Sequence, residues 1–368
     1  MFRQYKLRDY NFKLVVFIVA LSMIGYLAIG SAKEAVQGKQ LYGIMGGILI
    51  MIILSCIDYS FILHFYWSIY AINIALLIAV LLFGEKNKGA RRWLEIGIQF
   101  QPSELAKILL ILFFAQFIMK HKEQLNTAKI LISSIILFVI PLALVYKEPD
   151  LSTSIVIVIS FCVMIFMGGL SYKILLTVLG IMIPLGIAFI SIILQPEQNL
   201  LEGYQVVRIQ AWLQPEKYAD SAAYQQLNSI MAIGSGKLVG KGLNNNVIAS
   251  VKNGNFISEP QTDFIYAVIG EELGFIGAFS VILLLVLIVL ECLRIAKNSK
   301  DLAGTIIAGG VASIVGFQGF MNIAVATGLL PNTGIPLPFV SYGLTSLITL
   351  FSAMGIVLNV GLQAKKYK

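Results

Sequence analysis

The chain consists mostly of long apolar runs separated by short polar segments. A transmembrane helix needs ~20 mostly apolar residues, and such runs recur from one end of the sequence to the other. The pattern predicts an all-α polytopic membrane bundle of ten spanning helices, forming one membrane domain over residues 1–368. The predicted spans are 12–31, 40–57, 66–83, 103–120, 127–146, 150–168, 171–194, 264–292, 302–327 and 338–362.

One polar stretch, residues 195–262, interrupts this pattern between the seventh and eighth spans. It is far longer than neighbouring helices need for a connection, which is typical of a functional loop. We predict a surface-lying amphipathic segment at 204–217 and a short helix at 224–233. The glycine-rich run 234–242 lacks the spacing of a nucleotide P-loop, so we interpret it as a flexible loop near a large substrate.

Composition and charge place this loop outside the cell. The chain is 58% hydrophobic and 12% charged, with a mean hydropathy of +0.85, which excludes an ordinary soluble protein. With both termini in the cytoplasm, the inner segments carry 14 basic and five acidic residues, a net charge of +9 against −1 outside. Positive charge belongs on the cytoplasmic side. The overall charge of +8 therefore reflects topology and does not indicate nucleic-acid binding.

Neither cysteine nor histidine forms a pattern that would hold a metal ion. The three cysteines are isolated in or beside apolar spans, and there are only two histidines. We therefore predict reduced cysteines and no dedicated metal site.

The loop between the third and fourth spans breaks the charge rule. Residues 84–93 are external in this topology, yet they contain four basic residues, among them Arg91 and Arg92. Binding of an anion at the outer surface would explain them. Pairing with external acids or lipid headgroups would also do so, with Trp93 as an interfacial anchor. Both interpretations stay open.

The start of the fourth span strengthens the first interpretation. Pro102 favours a helix beginning there, with Gln101 or Ser103 as its cap, and a helix amino terminus attracts phosphate. Glu104 and Lys107 are three residues apart and share a face. Because an unpaired ammonium is costly inside a membrane, Glu104 either neutralises Lys107 or holds it for a bound diphosphate.

Acidic residues stand at two other outer helix starts. Asp150 ends a tight turn before the sixth span. Asp263 follows Thr262, which we predict to cap the eighth helix, so that Asp263 occupies its first turn. The helix dipole would keep this carboxylate charged. A general base needs a pKa close to the working pH, and burial or the nearby Glu271 would raise the pKa of Asp263 toward it. The sequence does not decide whether this effect or that of the helix dipole is larger.

Within the ninth span, Gln318 and Asn322 are four residues apart and share a face. They either bond neighbouring helices together or line a polar path through the bundle.

Several of these segments together resemble the SEDS family of membrane glycosyltransferases (RodA, FtsW, SpoVE), and the resemblance covers the whole chain. Its motifs are residues 89–93 with 101–107, 147–151, 232–236 with 240–243, 259–266 with 270–274, and 331–344. The histidine that usually precedes Thr-Asp in the family is Gln261 here. The turn at 147–151 and the asparagines at 244–246 favour the RodA-like branch.

The resemblance implies a lipid II polymerase with ten helices, cytoplasmic termini and the large loop outside the bacterial plasma membrane. Asp263 would be catalytic and would take the proton of the acceptor 4-hydroxyl as it attacks C1 of the donor. Undecaprenyl diphosphate would leave with inversion. Arg91, Arg92 and Lys107 would stabilise the diphosphate, supported by Trp93, Glu104, Asp150, Thr262 and Glu271.

The resemblance also implies partners. A class B penicillin-binding protein, a single-pass transpeptidase, would pack beside the bundle in cell elongation, division or sporulation, and membrane lipids would surround it. No nucleotide is required, although a divalent cation, Mg²⁺ or Mn²⁺, would suit the diphosphate. Two alternatives remain: a lipid II flippase that uses the face of Gln318 and Asn322, and a scaffold without activity of its own.

Overall fold

The computed structural model describes residues 9–87, 90–95, 99–177, 180, 184, 191, 203–244 and 256–363. Within these ranges the chain is mainly helical. In chain order the helices are α1 (Phe12–Ala32), α2 (Glu34–Cys56), α3 (Tyr59–His64), α4 (Tyr66–Phe83), α5 (Pro102–Lys120), α6 (Ala128–Lys147), α7 (Leu151–Met167), α8 (Gly203–Leu213), α9 (Tyr224–Ser235), α10 (Ile265–Lys297), α11 (Leu302–Ala326) and α12 (Leu344–Leu362). Two 3₁₀ turns lie at Lys122–Gln124 and Pro215–Tyr218.

Eight of the described helices are long and apolar enough to cross a membrane: α1, α2, α4, α5, α6, α10, α11 and α12. This confirms the prediction of a multi-pass α-helical membrane protein. Helix α7 matches the predicted sixth span but has only 17 residues. The predicted span 171–194 lies largely outside the described residues.

The buried centre of the bundle consists of α5, α11 and α12. About three-quarters of the residues in their apolar stretches are buried, against about a fifth in α4, whose surface therefore faces lipid. Small residues bring α11 close to its neighbours. A Cβ atom at Gly309 would lie 2.0 Å from Met167 Sδ, and one at Gly310 would lie 3.1 Å from Ile111 Cγ1.

The basic outer loop forms a small antiparallel sheet, which the sequence analysis did not predict. Its strands are β1 (Glu85–Asn87), β2 (Ala90–Glu95) and β3 (Gln99–Phe100), in the order β1-β2-β3. Arg91 and Arg92 are consecutive residues of β2. The pairing of β1 with β2 is irregular here: Lys86 lies opposite Arg91 and Glu85 opposite Trp93, which leaves Arg92 as the extra residue of a β-bulge. The two guanidinium groups bind different parts of the chain, Arg91 at α4 and Arg92 at the turn between α6 and α7.

The glycine-rich run after α9 packs against a break in α10, so its prediction as a flexible loop was wrong. The break lies at Gly274, with φ +64° and ψ −160°, and a Cβ there would stand 2.3 Å from Gly240 N. Backbone groups that lose their helical partners at the break bond to the glycine-rich run instead. Phe275 N donates to Lys237 O and Ile276 N to Leu238 O. From the run, Lys241 N donates to Glu271 O and Gly242 N to Glu272 O.

The described part of the large loop docks onto the end of α11. The amphipathic segment predicted at 204–217 is α-helical over Gly203–Leu213 (α8), and the short helix predicted at 224–233 is present as α9. Trp212 Nε1 of α8 donates to Gly328 O at 3.0 Å. From α9, Ser229 Oγ donates to Ala326 O at 2.8 Å and Gln226 Nε2 to Val325 O at 2.8 Å. The loop thereby satisfies carbonyl groups at the carboxyl end of α11, which that helix cannot pair internally.

Candidate active site

Asp263 lies in a turn before α10 rather than in its first helical turn. The helix begins at Ile265, and Phe264 occupies the N-cap without a side-chain cap bond. The predicted capping by Thr262 is therefore wrong. Its hydroxyl instead donates to Glu259 O at 3.0 Å, which closes the turn on itself.

The backbone of this turn is held by a segment about 80 residues further along the chain, residues 331–343. Gln261 O accepts from Tyr342 N at 2.9 Å, and Thr262 O accepts from Ser341 Oγ at 2.6 Å. Because these carbonyl groups bond to another segment, they are not available to an earlier start of the helix.

Asn322 of α11 clamps the same two segments together. Its Nδ2 donates to Asp263 O at 2.8 Å and to Ile335 O at 2.7 Å, and the residue is buried. Gly334, with φ +73°, faces the acid, since a Cβ there would lie 3.5 Å from Asp263 Oδ2. Of the two interpretations for Asn322, the bond between elements is confirmed. By holding the backbone of Asp263, the Asn322 side chain positions the Asp263 carboxylate.

Replacement of Asn322 by Leu, a residue of similar size, is expected to reduce activity by about 100-fold, since a shift of 1 Å in a reacting group has an effect of that order. The matched control is Gln318→Leu, one turn earlier on the same face. Gln318 Oε1 has no hydrogen-bond partner in the described part of the chain, so this variant should stay within a few-fold of wild type. Equal activity of the two variants would contradict the positioning role.

Arg92 binds the turn between α6 and α7. Its Nε donates to Glu148 O at 3.1 Å and its Nη2 donates to Pro149 O. Asp150 caps α7, accepting from Thr153 N at 3.1 Å and from Thr153 Oγ1 at 2.9 Å. The predicted supporting role of Asp150 therefore includes a helix cap.

The amino termini of α5 and α7 lie side by side beneath Arg92. Gln101 is the N-cap residue of α5 but forms no side-chain cap bond. Its Nε2 donates to Asp150 Oδ2 and to Ser103 Oγ, both at 3.1 Å. The uncapped start of α5 and a guanidinium group thus meet beside Asp150, whose carboxylate already caps α7, and a helix start next to a cation favours a bound anion.

Contacts of the 331–343 segment connect this place with Asp263. Ser152 Oγ, in the first turn of α7, donates to Thr333 O, next to Gly334. From α8, Arg208 Nη1 donates to Asn332 O at 3.3 Å. The sequence analysis did not select Arg208 as a site residue. Its signal was weak because it lies on an amphipathic helix whose docking position the sequence does not reveal.

The other predicted site residues have separate partners. Lys107 Nζ lies 2.8 Å from Glu104 Oε1, and both residues are buried, so the expected ion pair is present. Arg91 Nη1 donates to Leu81 O at 3.3 Å from an exposed position. The three predicted cations therefore bind three different partners in the described part of the chain.

Two further supporting residues lie at different places. Trp93 is half-buried in β2, opposite Glu85 of β1. Glu271 pairs with Lys241 of the glycine-rich run at 2.7 Å. The ion pair of Glu271 helps to hold that run against the break in α10.

Buried polar atoms without a partner concentrate around Arg92 and Asp263. Native proteins leave few such atoms, and each calls for an explanation such as a bound ligand or water. Those without a hydrogen-bond partner among the described residues include Glu104 Oε2, both carboxylate oxygens of Glu148, Gln261 Oε1, Asn332 Oδ1 and Thr333 Oγ1. This polarity is what a site for a polar substrate requires.

Glu148 is the most perturbed acid of this region outside the spans. It is fully buried. Burial raises the pKa of its carboxyl group to about 8, the charge of Asp150 adds to the rise, and Arg92 opposes it. The side chain therefore holds a proton near neutral pH.

This shift predicts a dependence of stability on pH. The ordinary pKa is 4.5, so between about pH 4.5 and 8 the folded protein binds more protons than the unfolded chain. The free energy of unfolding must fall as pH rises through this interval, by at most about 1.4 kcal/mol per pH unit. Thermal unfolding should show Glu148→Gln to be more stable than wild type at pH 8.5 and similar at pH 5. Exposed Glu216→Gln is the control, and an identical pH profile for Glu148→Gln and wild type would contradict the assignment.

Among the described residues, no three His, Cys, Asp or Glu side chains come together as metal ligands. No step below depends on the divalent cation that the resemblance allows.

Comparison with known proteins gives concordant results. The model of the cell cycle protein family that groups FtsW, RodA and SpoVE matches residues 9–366. The peptidoglycan glycosyltransferase MrdB of Escherichia coli K12 is 36% identical over 353 residues, covering 94% of this chain and 92% of MrdB. The probable peptidoglycan glycosyltransferase FtsW of Bacillus subtilis 168 is 32% identical over 381 residues, with 98% and 92% coverage.

A solved structure shows the same fold. It belongs to a peptidoglycan synthase complex that coordinates polymerization and crosslinking. The matching chain superposes with a TM-score of 0.80 at 27% identity, covering 96% of this chain and 97% of its own length.

Proposed function

This chain belongs to the cell cycle protein family of FtsW, RodA and SpoVE, and from that premise we propose that it is a peptidoglycan glycosyltransferase that polymerises lipid II. The relatives named as such enzymes match nearly the whole chain. The substrate is a disaccharide carried on a polyisoprenyl diphosphate, and growing glycan strands are the product.

One observation carries the proposal: Asp263 and Arg92 are linked by a short series of contacts through residues 331–343. Asn322 holds Asp263 against Ile335, Gly334 faces the carboxylate, and Ser152 ties Thr333 to α7 beside the turn that Arg92 binds. An acid and a cationic anion site thus share one rigid frame, as displacement of a diphosphate by a hydroxyl group requires.

The reaction forms one bond and breaks one. The 4-hydroxyl oxygen of the acceptor sugar bonds to C1 of the donor sugar while the bond between C1 and the diphosphate oxygen breaks. Asp263 takes the hydroxyl proton, acting as a general base. The diphosphate leaves with the bonding electron pair, and attack from the opposite side inverts the anomeric centre.

The developing negative charge of the diphosphate needs positive groups that are already in place. Arg92, the start of α5 and Arg208 supply them. Lys107 adds a further cation from α5, where Glu104 holds it. Arg91, which donates to Leu81 O of α4 instead, is suited to membrane headgroups or to the second substrate.

One observation weighs against the alternative of a flippase. That hypothesis used Gln318 and Asn322 as a polar path, but Asn322 directs its donors at two backbone carbonyl groups. A scaffold without activity would leave the polar site unexplained.

We also propose the setting in which the enzyme works. The chain resides in the bacterial plasma membrane with both termini cytoplasmic and residues 195–262 outside. Its partner is a class B penicillin-binding protein that crosslinks the new strands. The solved relative from a peptidoglycan synthase complex supports such a pairing.

The purified protein, alone and with candidate transpeptidases, should convert lipid II into glycan strands visible as a ladder on a gel. A moenomycin-sensitive transglycosylase of another class serves as the positive control for substrate quality. A lack of polymer with every partner, from substrate that the control enzyme consumes, would overturn the proposed activity.

A further inference from the structure

An apolar groove opens between α6 and α7 at the side of the bundle. It encloses about 380 Å³ and is lined by Val139, Ala143 and Tyr146 of α6 and by Leu151, Ile155 and Val158 of α7. Five of these side chains, those of Val139, Ala143, Tyr146, Leu151 and Val158, are exposed. A molecule that lies in the membrane can therefore enter the groove sideways.

The groove has the dimensions of a short apolar chain. Its lining residues span 139–146 of α6 and 151–159 of α7, which corresponds to roughly 10–12 Å at the rise of an α-helix. Almost all of its surface is apolar, and its volume falls within the usual range of ligand pockets. It can hold the first part of a long hydrocarbon chain, while the remainder stays in the bilayer.

One end of the groove meets the anion site. Tyr146 and Leu151 flank the turn between α6 and α7, and Arg92 donates to the carbonyl groups of Glu148 and Pro149 in that turn. Lys147 of the same turn is exposed and carries a second positive charge. Cationic groups thus lie next to one end of the apolar groove.

This arrangement matches an amphiphile with an anionic head joined to a single hydrocarbon chain. We propose that the groove between α6 and α7 binds the proximal isoprene units of the lipid-linked substrate while its diphosphate lies at Arg92. The assignment rests on the proposed function, because that function places the diphosphate there. Charge complementarity at the groove end selects a polyisoprenyl diphosphate over the acyl chain of an ordinary phospholipid.

Photo-labelling tests the groove without any need for turnover. The probe is a farnesyl diphosphate analogue that carries a benzophenone at the end of its chain, applied to the full-length protein in nanodiscs. Labelled peptides should come from residues 139–159. Unlabelled undecaprenyl diphosphate should abolish the labelling, whereas phosphatidylglycerol at the same concentration should not.

A matched pair of variants completes the experiment. Ala143→Trp fills the groove and should reduce labelling at least tenfold, whereas Ala75→Trp adds the same side chain at an exposed position of α4 and should leave labelling unchanged. Thermal unfolding verifies that both variants are folded. If Ala143→Trp does not fold, the mapped labelling site in the wild-type protein decides alone.

Labelling outside the groove, or equal competition by phosphatidylglycerol, would overturn the assignment. These outcomes are distinct from a failure of the proposed function. If the protein forms polymer but is labelled elsewhere, only the assignment of the groove is contradicted. If the groove is labelled but the protein makes no polymer, only the proposed activity is contradicted.

Discussion

Asp263→Ala and Asp263→Asn are expected to abolish polymerisation of lipid II, with rates reduced by about 10³-fold or more. A general base contributes about 10²–10⁴-fold, and neither alanine nor asparagine can accept the hydroxyl proton. The measurement is glycan strand formation by purified protein, quantified on a gel.

The control variant is Asp220→Asn, which removes another acid of the large outer loop at an exposed position. It should polymerise lipid II at the wild-type rate. Thermal unfolding verifies that each variant is folded, and the backbone carbonyl group of Asp263 that accepts from Asn322 is kept in all of them. Polymerisation by a folded Asp263→Ala variant within a few-fold of wild type would remove the catalytic role.

The second large effect concerns the buried pair of Glu104 and Lys107. Glu104→Gln or Lys107→Met alone leaves one buried charge without its partner, which costs about 3–5 kcal/mol of stability. The double variant Glu104→Gln/Lys107→Met removes both charges and should regain most of this loss, because apolar replacements of buried ion pairs are often neutral. Thermal unfolding of the three variants checks this order.

Activity of the double variant separates the two roles of Lys107. Among the described residues only Glu104 accepts a hydrogen bond from its ammonium, which has three donors, and an ionisable group within a membrane helix is by default a functional candidate. We expect the stable double variant to lose polymerisation by at least 100-fold, in keeping with contact to the diphosphate. Wild-type activity of the folded double variant would reduce Lys107 to a purely structural partner of Glu104.

Much of the fold follows from local sequence. Apolar runs of membrane length locate most spans, and amphipathic periodicity locates α8 and α9, because both signals depend on a residue's near neighbours along the chain. The spacing of Glu104 and Lys107 likewise indicated their ion pair. Features of this kind need no knowledge of the rest of the molecule.

The parts that were missed depend on distant partners. The true start of α10 at Ile265 follows from bonds of Gln261 and Thr262 to residues 341–342, and Thr262 and Ser341 are 79 positions apart. The fixed conformation of the glycine-rich run depends in the same way on the break at Gly274. No local sequence pattern indicates either pairing, so the sequence analysis predicted a cap at Thr262 and a flexible loop at 234–242.

The site shows the same division. Asp263 was selected from its position at an outer helix start, Arg92 from the excess of basic residues in an outer loop, and both from the family motifs. That Asn322 holds Asp263, that Arg208 reaches Asn332, and that Arg91 and Arg92 diverge become visible only when α11, α8 and β2 are in place. Residue chemistry thus indicated the class of site, whereas tertiary contacts determine which side chains belong to it.

The most direct test is a cryo-electron microscopy structure of the Asp263→Asn variant with lipid II bound. We predict a diphosphate oxygen at about 3 Å from the Arg92 guanidinium, a normal hydrogen-bond distance, with an acceptor sugar hydroxyl in contact with the side chain at position 263. A bound substrate whose diphosphate lies away from Arg92 and Lys107, or whose sugars lie away from position 263, would contradict the proposed site.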